Sequence, residues 1–180
     1  MKRREDFVTK KLALLIDEDL CWGCDACELA CKQENHLSEG SRWIQVRTKG
    51  VQRVNGKLKL VYSPARCLQC SHPPCQEVCP VDAITQRPDG IVLIDYNGCI
   101  GCKKCIEACP FGVMQFNQEK GVAEKCHLCY HRIDQGLKPA CVDVCIGRCI
   151  YFGEMTELVN RYGERRWLSG RNGNEKRTSL

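Results

Sequence analysis

Cysteine is the residue type here that could do chemistry, and seventeen cysteines fall largely into four short blocks of the 180-residue sequence. The first block is Cys21-x2-Cys24-x2-Cys27-x3-Cys31. The second, Cys67-x2-Cys70-x4-Cys75-x3-Cys79, is followed by Pro80. The third, Cys99-x2-Cys102-x2-Cys105-x3-Cys109, repeats the first and adds Pro110, and the fourth is looser, Cys126-x2-Cys129-x11-Cys141-x3-Cys145. A C-x2-C-x2-C loop lets one stretch of backbone wrap three corners of a cubane [4Fe–4S] body while its N–H groups point at the sulfurs. The next cysteine, three residues on, is expected at the start of a helix, facing away towards a second cluster. Structural zinc is the competing chemistry, since paired C-x2-C knuckles hold one tetrahedral ion. Zinc suits the fourth block but not the first and third, where four cysteines lie within eleven residues.

Other side chains near the blocks are read against that chemistry. His72 and His127 could ligate iron, but each set already has its four cysteines, so both are expected beside the ligands or at the surface. The Lys103-Lys104 pair and Arg132 either screen cluster charge or face a partner, and Trp22 beside Cys21 is expected to pack. Cys149, four residues after Cys145, is read as a buried bystander, with substitution for Cys145 as the alternative. No Ser-His-Asp arrangement, G-x-G-x-x-G or G-K-[ST] occurs, so no catalytic residue is assigned.

Charge and composition set the context of the cysteines. A [4Fe–4S]²⁺ core with four thiolates carries minus two, so four of them turn the formal charge of +5 into about −3. The basic excess is then internal compensation and no signal for nucleic acid. The first eleven residues are charged, Arg3-Arg4 is followed by no apolar run, and no window has the roughly eighteen apolar residues of a membrane helix. The expectation is a cytoplasmic protein with no direct membrane insertion, in which thiols serve metal chemistry instead of disulfides.

The elements that must position these cysteines are short. Leu12 to Asp17 reads as a strand entering the first block, and Asp25 to Gln33 as a helical turn carrying that block's last two cysteines. Residues 38–62 read as an inserted hairpin, Arg42 to Thr48 pairing with Lys57 to Tyr62 across Asn55-Gly56. A second hairpin joins Ala83 to Gln86 and Ile91 to Asp95 around Pro88-Asp89-Gly90. A strand is expected at Ile150 to Phe152, a terminal helix at Met155 to Tyr162, and a polar tail from Ser169 to Leu180. No segment offers the apolar surface of a conventional core, so the clusters are expected to form it and the apo chain to fold poorly.

The four blocks, their order, the inserted hairpin and the closing Ile150-Tyr151-Phe152-Gly153-Glu154 resemble the four-cluster ferredoxin subunits of molybdenum and tungsten oxidoreductases, over about residues 12 to 155. The resemblance implies an α+β fold of two bacterial-ferredoxin-like halves, residues 12–37 with 110–155 and residues 63–109, around four [4Fe–4S] clusters; residues 156–180 would add a helix and tail. It implies cross-ligated sets. Cys21, Cys24 and Cys27 would hold one cluster with Cys145, and Cys126, Cys129 and Cys141 a second with Cys31. Cys67, Cys70 and Cys75 would hold a third with Cys109, and Cys99, Cys102 and Cys105 a fourth with Cys79. Some relatives lack the cysteine equivalent to Cys102 and hold three irons; Cys102 is present, so a cubane is expected. Cys31 and Cys145 are followed by Lys32 and Ile146 where the family pattern has proline.

The implied function is a relay of single electrons between a redox donor or acceptor and a catalytic tungsten- or molybdenum-containing subunit. The stretch Cys109-Pro110-Phe111-Gly112-Val113-Met114-Gln115-Phe116 looks closer to small subunits of tungsten enzymes of the aldehyde ferredoxin oxidoreductase type, such as class II benzoyl-CoA reductase. The rivals are the iron–sulfur subunit of a formate dehydrogenase or respiratory molybdenum enzyme, and a freely diffusing polyferredoxin.

Overall fold

A computed structural model describes residues 10–54 and 56–163. The elements run β1 (Leu12–Ile16), α1 (Ala26–Glu34), β2 (Ile44–Val54), β3 (Lys57–Arg66), α2 (Pro74–Glu77), β4 (Ile84–Gln86), β5 (Val92–Ile94), α3 (Lys104–Glu107), β6 (Gln115–Asn117), β7 (Val122–Glu124), α4 (Tyr130–Ile133), α5 (Ala140–Asp143), β8 (Ile150–Glu154) and α6 (Met155–Tyr162). Among the described residues strands pair in twos, all antiparallel: β1 with β8, β2 with β3, β4 with β5 and β6 with β7. The mixture of short strands and one-turn helices is the α+β class that the sequence implies.

A repeated unit explains this economy. Cys75, Cys105 and Cys141 each occupy the second residue of a four-residue helix, and Cys79, Cys109 and Cys145 follow two residues past its end. In the longer α1 the equivalent pair, Cys27 and Cys31, is still inside the helix. An x3 spacing therefore places the two thiols one helical turn apart, about 5–6 Å between Cβ atoms. This corrects the expectation that the last cysteine of each block opens a helix: the third cysteine stands at the helix start, and the last lies inside α1 or two residues past the end of α2, α3 and α5.

The core is built around cysteines but is not made of them alone. Leu14, Ile16, Trp43, Ile44, Ile91, Leu128 and Ile150 are buried with Cys21, Cys27, Cys31, Cys126, Cys141 and Cys149. A second cluster gathers Cys75, Cys105, Ile84, Val92, Met114 and Ala123, with Cys79, Cys99 and Cys109 packed on it. The other face of β1 supplies ordinary apolar packing, since Ala13 and Leu15 are buried against Leu158 of α6. β1 is thus covered on both faces, which its unbroken apolar run Leu12 to Ile16 allows.

The inserted hairpin is longer than expected, with paired residues from Ile44↔Arg66 to Val54↔Lys57 and a register shift between Thr48 and Gly50. Gly56 has φ +79 in its turn, while Asn55 lies outside the described residues. The base is anchored: Trp43 and Ile44 are buried, and the Gln115 side-chain amide pairs with both the N–H and the C=O of Arg42 at 2.7 Å. The β4–β5 hairpin and α6 fall where the sequence places them; Ser169 to Leu180 lies outside the described residues.

Candidate metal centres

The opening C-x2-C step of each block turns through a left-handed residue at its second intervening position, Gly23 (φ +68), Gln69 (+51), Gly101 (+67) and Leu128 (+56), and the next step in the first and third blocks turns at its first, Asp25 (+57) and Lys103 (+63). Such turns direct successive N–H groups into one concavity, where an anionic sulfur cluster can accept them. Glycine is required at two of them for space as well as for φ. A Cβ on Gly23 would lie 2.3 Å from the Tyr62 ring, and one on Gly101 would lie 2.4 Å from the Gly121 carbonyl oxygen. N–H groups already meet thiol sulfurs at two places, Leu128 N to Cys126 Sγ at 3.4 Å and Cys149 N to Cys145 Sγ at 3.3 Å.

The sixteen block cysteines are brought together across blocks and not only within them. Cys31, Cys126, Cys129 and Cys141 line one space, walled by Leu14, Trp43, Ile44 and Leu128. Cys79, Cys99, Cys102 and Cys105 line another, walled by Ile84, Ile94 and Ala123. Cys70 has Cys67, Cys75 and Cys109 as its charge neighbours, and Cys27 has Cys21 and Cys145. Asn35 bridges two blocks, its Nδ2 lying 3.6 Å from Cys31 Sγ and 3.8 Å from Cys129 Sγ. Cys24 and Cys102 are the two exposed cysteines of the protein.

Burial acts on these thiols in one direction. It pushes Cys27 and Cys126 up to about 12, and Cys70 and Cys105 up to about 11, with neighbouring thiols adding to the effect. Four thiolates cannot stand round such a space without positive charge among them. A four-iron core supplies that charge and accepts soft sulfur ligands, so the donor set and the spaces fit a cubane.

Two buried cations went unnoticed in the sequence. Arg66 donates from Nη2 to Leu14 O at 2.6 Å, and its guanidinium has Cys126, Cys141 and Cys67 as charge neighbours. Lys125, fully buried, donates from Nζ to Val92 O and, at 3.1 Å, to Cys126 O, and it faces Cys75. A readable signal existed: each is the residue immediately before the first cysteine of its block, Arg66-Cys67 and Lys125-Cys126.

The remaining singled-out residues separate. His72 is exposed, whereas His127 is held among rings, 4.9 Å from Trp43 and 5.0 Å from Tyr130, and burial lowers it to about 4. Arg132 clamps Glu34 at 2.8 Å, Asp143 at 2.7 Å and Lys138 O at 2.7 Å. Lys103 and Lys104 are exposed, with Lys103 Nζ 4.1 Å from the Phe116 ring centre. Trp22 is 63% exposed, which overturns the packing expectation. Cys149 is buried as expected, with its Sγ 3.4 Å from Cys145 Sγ.

Comparison with known proteins agrees with this chemistry. Residues 58–155 and 20–83 match two families described as 4Fe-4S dicluster domains, together spanning all four cysteine blocks. A component of the anaerobic dimethyl sulfoxide reductase of Escherichia coli is 37% identical over 87% of this chain and 80% of its own length. A subunit of the tetrathionate reductase of Salmonella typhimurium is 38% identical over 89% of the chain and 64% of its own length. The electron transfer subunit of the thiosulfate reductase of Salmonella typhi is 38% identical over 83% and 79%. The chain therefore spans between about three fifths and four fifths of these relatives. Their names are those of reductases and do not bear out the finer expectation of a tungsten enzyme of the aldehyde ferredoxin oxidoreductase type. Two matching dicluster domains account for four [4Fe–4S] clusters, and this protein belongs to the 4Fe-4S dicluster ferredoxin family, as an iron–sulfur electron-transfer subunit of the reductase type.

Proposed function

We propose that this protein carries single electrons through four clusters, from a donor or acceptor at one end to a catalytic, molybdenum-containing reductase subunit at the other. The ligand sets are the cross-ligated ones: Cys21, Cys24, Cys27 with Cys145; Cys126, Cys129, Cys141 with Cys31; Cys67, Cys70, Cys75 with Cys109; and Cys99, Cys102, Cys105 with Cys79. The halves are residues 12–37 with 110–155, and residues 63–109. In this reading the protein's own residues position the clusters, exclude water from them and set their charge environment, while the bound clusters supply the one-electron chemistry. The compartment is a reducing one such as the cytoplasm, in keeping with so many thiols.

The observation that carries the proposal is the exposure of Cys24 and Cys102 alone among the cysteines, each near bare apolar side chains. Leu20, Trp22 and Ile146 are exposed near the first, and Val81 and Ile100 near the second. Exposed apolar groups around a redox centre suit a docking face that excludes water on assembly. They also favour a subunit over a freely diffusing carrier, and among the described residues no helix is long and apolar enough to cross a membrane.

Trp22→Glu and Ile100→Glu test this separately. Each variant, expressed with its native partners, is expected to keep its iron, and one of the two is expected to release the molybdenum-bearing subunit on affinity purification. If both variants retained that subunit, the assignment of the two ends would be contradicted.

A further inference from the structure

The first cluster's ligand set contains one thiol too many. Cys145 and Cys149 sit at the two ends of a tight turn, with their sulfurs 3.4 Å apart and Arg148 N bonded to Cys145 O at 3.0 Å. The turn is pressed against the first block, since a Cβ on Gly147 would come within 2.7 Å of Leu20 O. On the far side, Asp17 N bonds Cys149 O at 2.8 Å, fixing Cys149 at the point where β8 meets the end of β1. Cys149 is 3% exposed, its sulfur meets that of Cys145, and Cys21, the opening residue of the first block, is among its charge neighbours. All sixteen other cysteines are assigned to clusters, so this is the one place where five thiols gather round four corners.

We propose that the fourth corner of the first cluster can be closed by either Cys145 or Cys149, with Cys149 a standby ligand. Cys145 is the resident ligand in the cross-ligated assignment, and the Cys149 N–H already points at its sulfur at 3.3 Å. Exchange needs no oxidant. The Cys149 thiol gives up its proton and binds iron, the Cys145 thiolate leaves iron and takes a proton, and iron and sulfide keep their oxidation states. The sulfurs are already in van der Waals contact, so a side-chain rotation and a small shift of the turn carry one into the other's place. The device suits an exposed cluster: the exposed Cys24 belongs to this same set, and a cluster open to solvent is the one whose outer thiols are attacked first.

The inference rests on the cross-ligated assignment, and its test separates the two. Full-length Cys145→Ala, Cys149→Ala, the double variant and Cys24→Ala are purified anaerobically in their native complex. Iron and labile sulfide are counted per copy of this protein, over and above the partner's own, and the reduced clusters are followed by electron paramagnetic resonance. Cys24→Ala has no unassigned thiol beside it and defines the signature of a first cluster short of one ligand, about fifteen irons where three remain there and about twelve where the cluster is lost, in place of about sixteen. Both single variants at positions 145 and 149 are expected to keep about sixteen, Cys145→Ala with a shifted first-cluster signal, and the double variant to match Cys24→Ala. A Cys145→Ala protein that already matches Cys24→Ala overturns the standby ligand and leaves the assignment standing; this comparison holds even if the double variant does not fold. A folded double variant with all four clusters intact overturns the assignment, and the inference with it.

Discussion

Lys125 shows how a single residue can set an energy scale in this molecule. Its ammonium is buried among backbone carbonyls between Cys75 of the second block and Cys126 of the fourth, so it lies where two ligand sets approach each other. A positive charge there favours the reduced, more negative state of a cluster. For unit charges roughly 10 Å apart at an effective dielectric of about 20 the interaction is about 1–2 kcal/mol, on the order of 40–90 mV for one electron. Lys125→Met is therefore expected to move at least one midpoint potential to more negative values by that order, read by a redox titration under electron paramagnetic resonance. An upward shift, or none, would show that the buried charge is not felt by the clusters. Stability should also fall by about 1–3 kcal/mol as Val92 O and Cys126 O lose their donor.

Residue identity alone carried the cysteine chemistry and missed this one. Thiol spacing is written in a line and can be read there, whereas the burial of Lys125 and Arg66 depends on how β5 and β1 fold back over them. Trp22 failed for a similar reason. A tryptophan beside a ligand is ordinarily packed, and only the whole surface shows it left bare. Asn35, which touches sulfurs of two blocks, had no sequence signature at all, because its partner Cys129 is 94 residues away.

Among the elements, the recurring unit is a left-handed turn, a short helix and a strand. The unit tolerates several side chains at the left-handed position, but Gly101 is confined by backbone: its added Cβ would meet the Gly121 carbonyl at 2.4 Å. Gly112 has a similar φ of +57 with nothing within 4 Å. Gly101→Ala is expected to distort the third block and lower iron content from about sixteen towards about twelve per copy. Gly112→Ala should instead keep its iron and lose only about 1–2 kcal/mol of stability from the strained φ. Equal iron loss in both variants would mean that φ, not the Gly121 carbonyl, is the constraint. The start-to-end reversal of the helices belongs to this scale: an x3 spacing specifies one turn between thiols but not which of them opens it.

Element boundaries were legible where local chemistry punctuates the sequence. Pro88-Asp89-Gly90 marks its hairpin turn, and α6 follows directly on β8 as the pattern from Met155 indicates. The hairpin β2–β3 outran its expected length because its outer residues, such as Val51 and Leu58, are exposed and so leave no burial pattern to read.

For the whole molecule, folding and metal loading are coupled. The apolar packing of Ala13, Leu15 and Leu158 is real but small, and most other buried apolar side chains pack against cysteines. Without iron, the spaces between the thiols leave these layers poorly filled. With four clusters the net charge is about −3, so the basic excess of the protein offsets cluster charge within it. The proposed pairing of distant blocks comes from family resemblance; the spacing within a block says that its last thiol can reach elsewhere, not which block receives it.

The central claim is tested most directly by counting iron and acid-labile sulfide per copy of the anaerobically isolated protein, together with zinc. About sixteen of each, with zinc below one per copy, is the result four cubanes require. Zinc at two or more per copy, with little labile sulfide, would contradict the account.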